Sequence, residues 1–226
     1  MGNITKIDLV EFAIYYAFFL LSAAVHESAH AWTASQFGDP TAKSQGRISL
    51  NPANHIELFG TVILPLIFFF SGGSMFGWAK PTPVNPKNFK NPRRDGMFVS
   101  GAGPISNLLS VALLVILWHI SYSFVTPGSE NKIPALFCYV LGSGILVNLI
   151  LFVFNLLPVY PLDGSGVLAG LLPGALANAY DQIRPFSFLL LLLIFWVPAA
   201  QHVLGRIIFG LGHLFRIDFF SLSQIW

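Results

Sequence analysis

The sequence predicts an all-α polytopic membrane protein with a helical core and one re-entrant or extended membrane segment. Three observations carry that prediction. The chain has 226 residues, of which 54% are hydrophobic and only 10% charged, against about 25% charged residues in a soluble domain. Its mean hydropathy is +0.68. The apolar residues gather into long stretches, several of them near the roughly 20 residues that a membrane crossing requires. The 22 phenylalanines suit a lipid-facing surface. The single Cys138 excludes an internal disulfide and argues against a cysteine-based metal site. A net charge of +2 is too small to indicate a nucleic-acid partner.

The first apolar stretch runs from about Ile7 to Phe37 and stops at Gly38-Asp39-Pro40, a helix end followed by a turn. Asp8 and Glu11 spoil the basic start of a secretory leader, so this stretch is expected to be a retained membrane helix. A polar connector, Thr41 to Glu57, follows. The second stretch, Leu58 to Trp78, is interrupted by Pro65 and Ser71-Gly72-Gly73-Ser74. It leads through Trp78-Ala79-Lys80-Pro81-Thr82-Pro83-Val84 into a basic connector, and five of the 12 basic residues lie between Lys80 and Arg94. The third and fourth stretches, Met97 to Phe124 and Ile133 to Leu157, are each long enough to span. After a Pro- and Gly-rich bend, the last stretch, Phe186 to Phe215, carries Pro198 and reads as a kinked helix over about 184–216 or as two short ones. With neither repeat nor linker, residues 1–226 read as a single membrane domain with a core over about 10–180.

Within the first stretch lies His26-Glu27-Ser28-Ala29-His30. Positions i and i+4 share a helix face, so both imidazoles can reach one metal, and the Glu between them can act as a base. Charged and imidazole groups are costly inside lipid, which makes a functional reading the default. A catalytic zinc takes three protein ligands and keeps one position open. Thr33 and Gln36 exclude the extended motif that supplies a third His at position 36. Glu57 and Glu130 are available acids, but Asp163 is the strongest candidate. It follows Pro158 and Pro161, which stop the fourth helix and free backbone groups at membrane depth, a situation tolerated where backbone lines a polar cavity.

Together, the His26-to-His30 motif and the later Asn155-Leu-Leu-Pro158-Val-Tyr-Pro161-Leu-Asp163-Gly164 resemble the two halves of the active site in the site-2 protease family of intramembrane zinc metalloproteases. Gly103-Pro104-Ile-Ser-Asn107 is similar to an element of that family's middle core helix, and Gly46-Arg-Ile-Ser-Leu-Asn-Pro52-Ala-Asn-His55 looks like its compact bacterial branch, without PDZ or CBS additions. The resemblance implies that His26, His30 and Asp163 hold one Zn2+ per chain, that Glu27 is general base and acid, and that Asn155 binds the substrate carbonyl or oxyanion. It also implies a transmembrane protein or peptide as substrate, cleaved in or near its membrane segment.

Sharing one metal imposes a parity. The first helix and the fourth must end on the same side, so an even number of crossings separates them. Stretches three and four supply two, and stretch two is therefore expected not to cross. The basic connector then lies on the motif side, which the distribution of Lys and Arg assigns to the cytoplasmic face; the resemblance implies a bacterial cytoplasmic membrane. Trp78 to Val84, held extended by its prolines, is expected to offer a strand edge to an unwound substrate. Asn107 and Asn148 read as bonds across helices, His55 as a cap or gate, His119, His202 and His213 as interfacial, and Trp118, Trp196 and Trp226 as belt residues. Two other functions compete: a catalytically silent membrane scaffold, which has no need of Glu27, and a metal transporter, which needs more acids or His along its spans.

Overall fold

The computed structural model describes residues 6–72, 76–126 and 130–217, and all regular structure among them is helical. Helix α1 spans Lys6–Gln36 over 31 residues. It ends because Gly38 adopts φ +98°, a left-handed conformation that lacks a Cβ penalty only in glycine. The Gly38 and Asp39 N–H groups turn back onto the Ser35 and Ala34 carbonyls and close the last turn. A one-turn helix α2, Thr41–Ser44, follows.

The second apolar stretch does not form a spanning helix. Glu57 caps a π-helical segment, Leu58–Ile63, by accepting from the Phe59 and Gly60 N–H groups, and α3, Leu64–Phe70, continues it. These 13 residues reach about 20 Å at 1.5 Å per residue, short of the roughly 30 Å of hydrocarbon. The chain then returns to its point of entry. Trp78 N–H donates to the Gly60 carbonyl at 3.1 Å, and Lys80 N–H to the His55 carbonyl at 2.8 Å. A Cβ on Gly60 would strike the Trp78 indole, so the two arms of the hairpin pack closely. The second stretch is thus too short to span and closes at its base, in keeping with the expected non-crossing segment.

Helix α4, Pro92–Tyr122, begins five residues before the apolar run because Pro92 occupies its first turn and buried Asp95 accepts the Asn91 N–H. Helix α5, Ile133–Asn155, runs back. α1, α4 and α5 are each long and apolar enough to cross a membrane, and they pack on one another. α6, Asp163–Leu171, and α7, Gly174–Asp181, are short, and α6 lies against α4. Arg93 fastens them: its guanidinium donates to the Ala169 and Leu172 carbonyls, which end α6.

The last stretch forms two helices, α8, Ser187–Trp196, and α9, Pro198–Leu214. Val197 between them has ψ 111°, the extended conformation imposed on a residue before proline. Neither is long enough to span alone. Together they carry the chain to the far end of α4, where His119 Nε2 donates to the Phe215 carbonyl at 3.0 Å.

One belt assignment requires correction. Trp118 is 5% exposed and belongs to the core cluster with Val111, Tyr139, Ile145, Leu149 and Ile217. Its amphipathic ring resembles that of a belt residue in sequence, but α9 and the tail after it cover this face. Trp196 is 81% exposed; Trp226 lies outside the described residues.

Candidate active site

Helical spacing sets the first half of the site. His26 and His30 lie one turn apart on α1, both 7% exposed, with ring centroids 4.7 Å apart. Their Nε2 atoms are 3.1 Å from each other. The opposite ring nitrogens are engaged elsewhere. His26 Nδ1 donates to Asn107 Oδ1 at 2.6 Å, and His30 Nδ1 donates to the Val99 carbonyl at 2.7 Å. Both partners sit on α4, where Pro104 supplies no N–H to the helix ladder and loosens the turn before it. Gly103 leaves space here, since a Cβ would collide with Nε2 of both imidazoles.

The second half comes from the break after α5. Asp163 is the first residue of α6, at the end where a helix favours negative charge. Its Oδ2 lies 3.0 Å from His26 Nε2 and 3.3 Å from His30 Nε2. Gly164 permits this placement, because a Cβ there would strike the backbone oxygens of Leu156 and Leu157 at the end of α5.

The donor set fits a metal ion. With each Nδ1 proton committed to an oxygen, the neutral form of each ring turns its Nε2 lone pair toward the other ring and toward a carboxylate oxygen. Asp163 Oδ2 is buried without a properly directed hydrogen bond, despite the two short distances. Three acceptors converge with no proton required between them, and their ligand atoms all lie within 4.8 Å of one another. Two imidazoles and a carboxylate suit zinc and leave a fourth tetrahedral position open.

Glu27 is half-buried beside His26, and its Oε2 accepts the Thr82 N–H at 2.7 Å. The Thr82 hydroxyl donates to the Glu27 carbonyl at 2.9 Å, so one residue of the returning arm grips both ends of Glu27. No sequence pattern pointed to Thr82, because the donor is a backbone N–H. Ser28, within the motif, clips a loop to α1: its hydroxyl donates to the Ser49 carbonyl at 2.6 Å and accepts the Ser49 N–H at 2.8 Å.

Other candidates fall outside the cluster. Asn155 ends α5, and its amide donates to the Leu151 carbonyl of the same helix at 2.9 Å. Glu57 is spent on its helix cap, and Glu130 is exposed. His55 is buried and donates from Nε2 to the Ser49 carbonyl at 2.8 Å. Burial pushes its pKa down; the Ser49 bond opposes this and Arg47 adds to it. Arg47 donates to the Asn54 and Lys80 carbonyls, tying the loop to the returning arm.

Known proteins give the same reading. The chain is 38% identical over 188 residues to the "Putative zinc metalloprotease YwhC" of Bacillus subtilis, covering 82% of this chain and 81% of that protein. It is 30% identical to the "Putative zinc metalloprotease Rip2" of Mycolicibacterium smegmatis over 94% of this chain and 76% of that protein. The Mycobacterium tuberculosis protein of the same name is 28% identical over 95% of this chain and 81% of its own length. No family model and no solved structure matches the chain. Two relatives matched over most of their length, together with a His26, His30 and Asp163 cluster in an integral membrane protein, lead to one assignment: this chain belongs to the site-2 protease family of zinc metalloproteases.

Proposed function

We propose that the protein is an intramembrane zinc endopeptidase that cleaves peptide bonds in or near transmembrane segments of other proteins, with one Zn2+ per chain held by His26, His30 and Asp163. The observation that carries this reading is the convergence of two lone-pair nitrogens and an orphaned carboxylate oxygen beside Glu27, within a membrane-spanning helix. Bound zinc would supply a Lewis acid that lowers the pKa of water toward about 7 and polarises a peptide carbonyl.

The chain's own residues supply the rest. Glu27 takes the proton of the attacking water and delivers it to the leaving amine. Thr82 holds Glu27 in place for both transfers. Asn155 uses one amide proton on Leu151. Its other proton is the donor assigned to the substrate oxygen, where negative charge develops.

The returning arm is the docking edge for an unwound substrate. Its alternate residues bond inward. Trp78 bonds to Gly60 and accepts from Thr61, Lys80 bonds to His55 and accepts from Arg47, and Thr82 bonds to Glu27. Strand alternation turns the Ala79, Pro81 and Pro83 carbonyls outward. A substrate strand would donate its N–H groups to them, beside the base. The substrate is a transmembrane protein or peptide drawn from the surrounding bilayer. The basic residues from Lys80 to Arg94 flank the site and support a cytoplasmic-facing centre in a bacterial cytoplasmic membrane.

The test is zinc content together with cleavage of a model transmembrane peptide by wild type and Glu27→Gln. The wild type is expected to carry zinc and cut, and the variant to carry zinc without cutting. Zinc binding with no Glu27-dependent cleavage refutes the reading and favours a silent scaffold or a metal transporter.

A further inference from the structure

Beneath the metal cluster lies a buried polar chain that the reaction does not consume. Asn107 on α4 is 0% exposed, Asn148 on α5 is 1% exposed, and Ser22 on α1 is 4% exposed. Asn107 Nδ2 donates to Asn148 Oδ1 at 2.9 Å. Asn148 Nδ2 donates to the Gly144 carbonyl at 2.9 Å and to Ser22 Oγ at 2.8 Å. Asn107 Oδ1 accepts from His26 Nδ1 at 2.6 Å.

The orientation of this chain has a fixed origin. The Gly144 carbonyl is backbone and can only accept, so the Asn148 group facing it must be the NH2. Asn148 Oδ1 then faces Asn107, which must present its own NH2. A weak contact from Asn107 Nδ2 to the Ser22 carbonyl, at 3.5 Å, requires the same orientation. Asn107 Oδ1 is thereby turned to His26 and demands a donor, which places the imidazole proton on Nδ1 and leaves Nε2 bare. His30 reaches the same state in one step, through the Val99 carbonyl.

We infer that the Gly144 carbonyl, acting through Asn148 and Asn107, dictates which nitrogen of His26 is available to metal, so that Asn107 and Asn148 are positioning residues of the metal centre. The inference rests on the metal-site reading above, but it concerns the order of action along the chain. Asn148 works only through Asn107. The Ser22 hydroxyl is dispensable to the orientation, because the Gly144 carbonyl fixes Asn148 without it.

The experiment is a zinc affinity measurement on the full chain in detergent, by competition with a chromophoric chelator. Asn107→Leu is expected to weaken zinc binding about 10- to 100-fold, as loss of a partner behind a ligating His does. Asn148→Leu is expected to weaken it less, because Asn107 keeps its contact with Ser22. The double variant is expected to bind no more weakly than Asn107→Leu alone. Ser22→Ala is expected to bind like wild type. Packing defects would instead multiply, so a double variant whose loss is the product of the single losses overturns the relay. So does an Asn148→Leu protein that binds zinc like wild type. Should leucine unfold the chain, the same cycle is run with alanine at both positions. A wild type that takes up no zinc overturns the metal-site reading itself, an outcome distinct from either of these.

Discussion

The two halves of the site are built in opposite ways. His26, Glu27 and His30 lie on an uninterrupted 31-residue helix, and their mutual geometry is set by its period. Asp163 lies where a helix has stopped, and its position depends on contacts between the end of α5, the start of α6 and the body of α4. The first half is local and would survive much rearrangement. The second is assembled and should be the more fragile.

The strongest way to break this comparison is at Asp163 itself. Asp163→Asn keeps the side chain's shape but removes the charge, and is expected to abolish both zinc retention and peptide cleavage. Metal analysis after gel filtration checks the first, and a peptide assay the second. Gly164→Ala attacks the assembly without touching a ligand. Its Cβ meets backbone oxygens of Leu156 and Leu157 that cannot swing away. A cost of about 1–3 kcal/mol is expected for such overpacking. Both the melting temperature and zinc affinity should fall; an unchanged melting temperature would show that the α5–α6 junction yields freely.

A smaller effect is expected on the motif side, at Asp39 just beyond α1. This buried carboxylate accepts from Thr41, from the Asn85 N–H and from the Asn88 amide, tying the helix end to the basic connector. Burial alone would raise its pKa, but these bonds outweigh it and the net shift is downward. A depressed folded-state value adds stability at pH above the unfolded value of about 3.9, and that stability is lost as pH falls through the folded value. Asp39→Asn is expected to flatten this acid limb in denaturation curves taken between neutral and acid pH. A variant with the wild-type acid limb would remove Asp39 from the account.

Much of this was legible in the sequence because it depends on period or on proline. Hydropathy marked α1, α4 and α5, the i, i+4 spacing paired the imidazoles, and Pro158 and Pro161 marked the break that carries Asp163. The parity of the crossings called for a non-spanning second stretch, and the hairpin closed at His55 and Lys80 fits that requirement. What escaped depends on partners that carry no sequence token. Thr82 grips Glu27 through a backbone N–H, and Val99 holds His30 through a backbone carbonyl. Trp118 was misplaced because an indole reads alike at a lipid boundary and under a covering helix. Asn107 was recognised as a bond across helices, but its partner on α1 proved to be His26 rather than another packing group.

The prolines of the returning arm have one more consequence. A free strand edge ordinarily pairs with any other, including its own copy, because it alternates donors with acceptors. Near Glu27 this edge has acceptors at Pro81 and Pro83 and no donors. At these two positions, two such edges have no N–H to exchange. Where two copies of the protein meet, Pro81 and Pro83 therefore offer no N–H through which one arm could pair with the other.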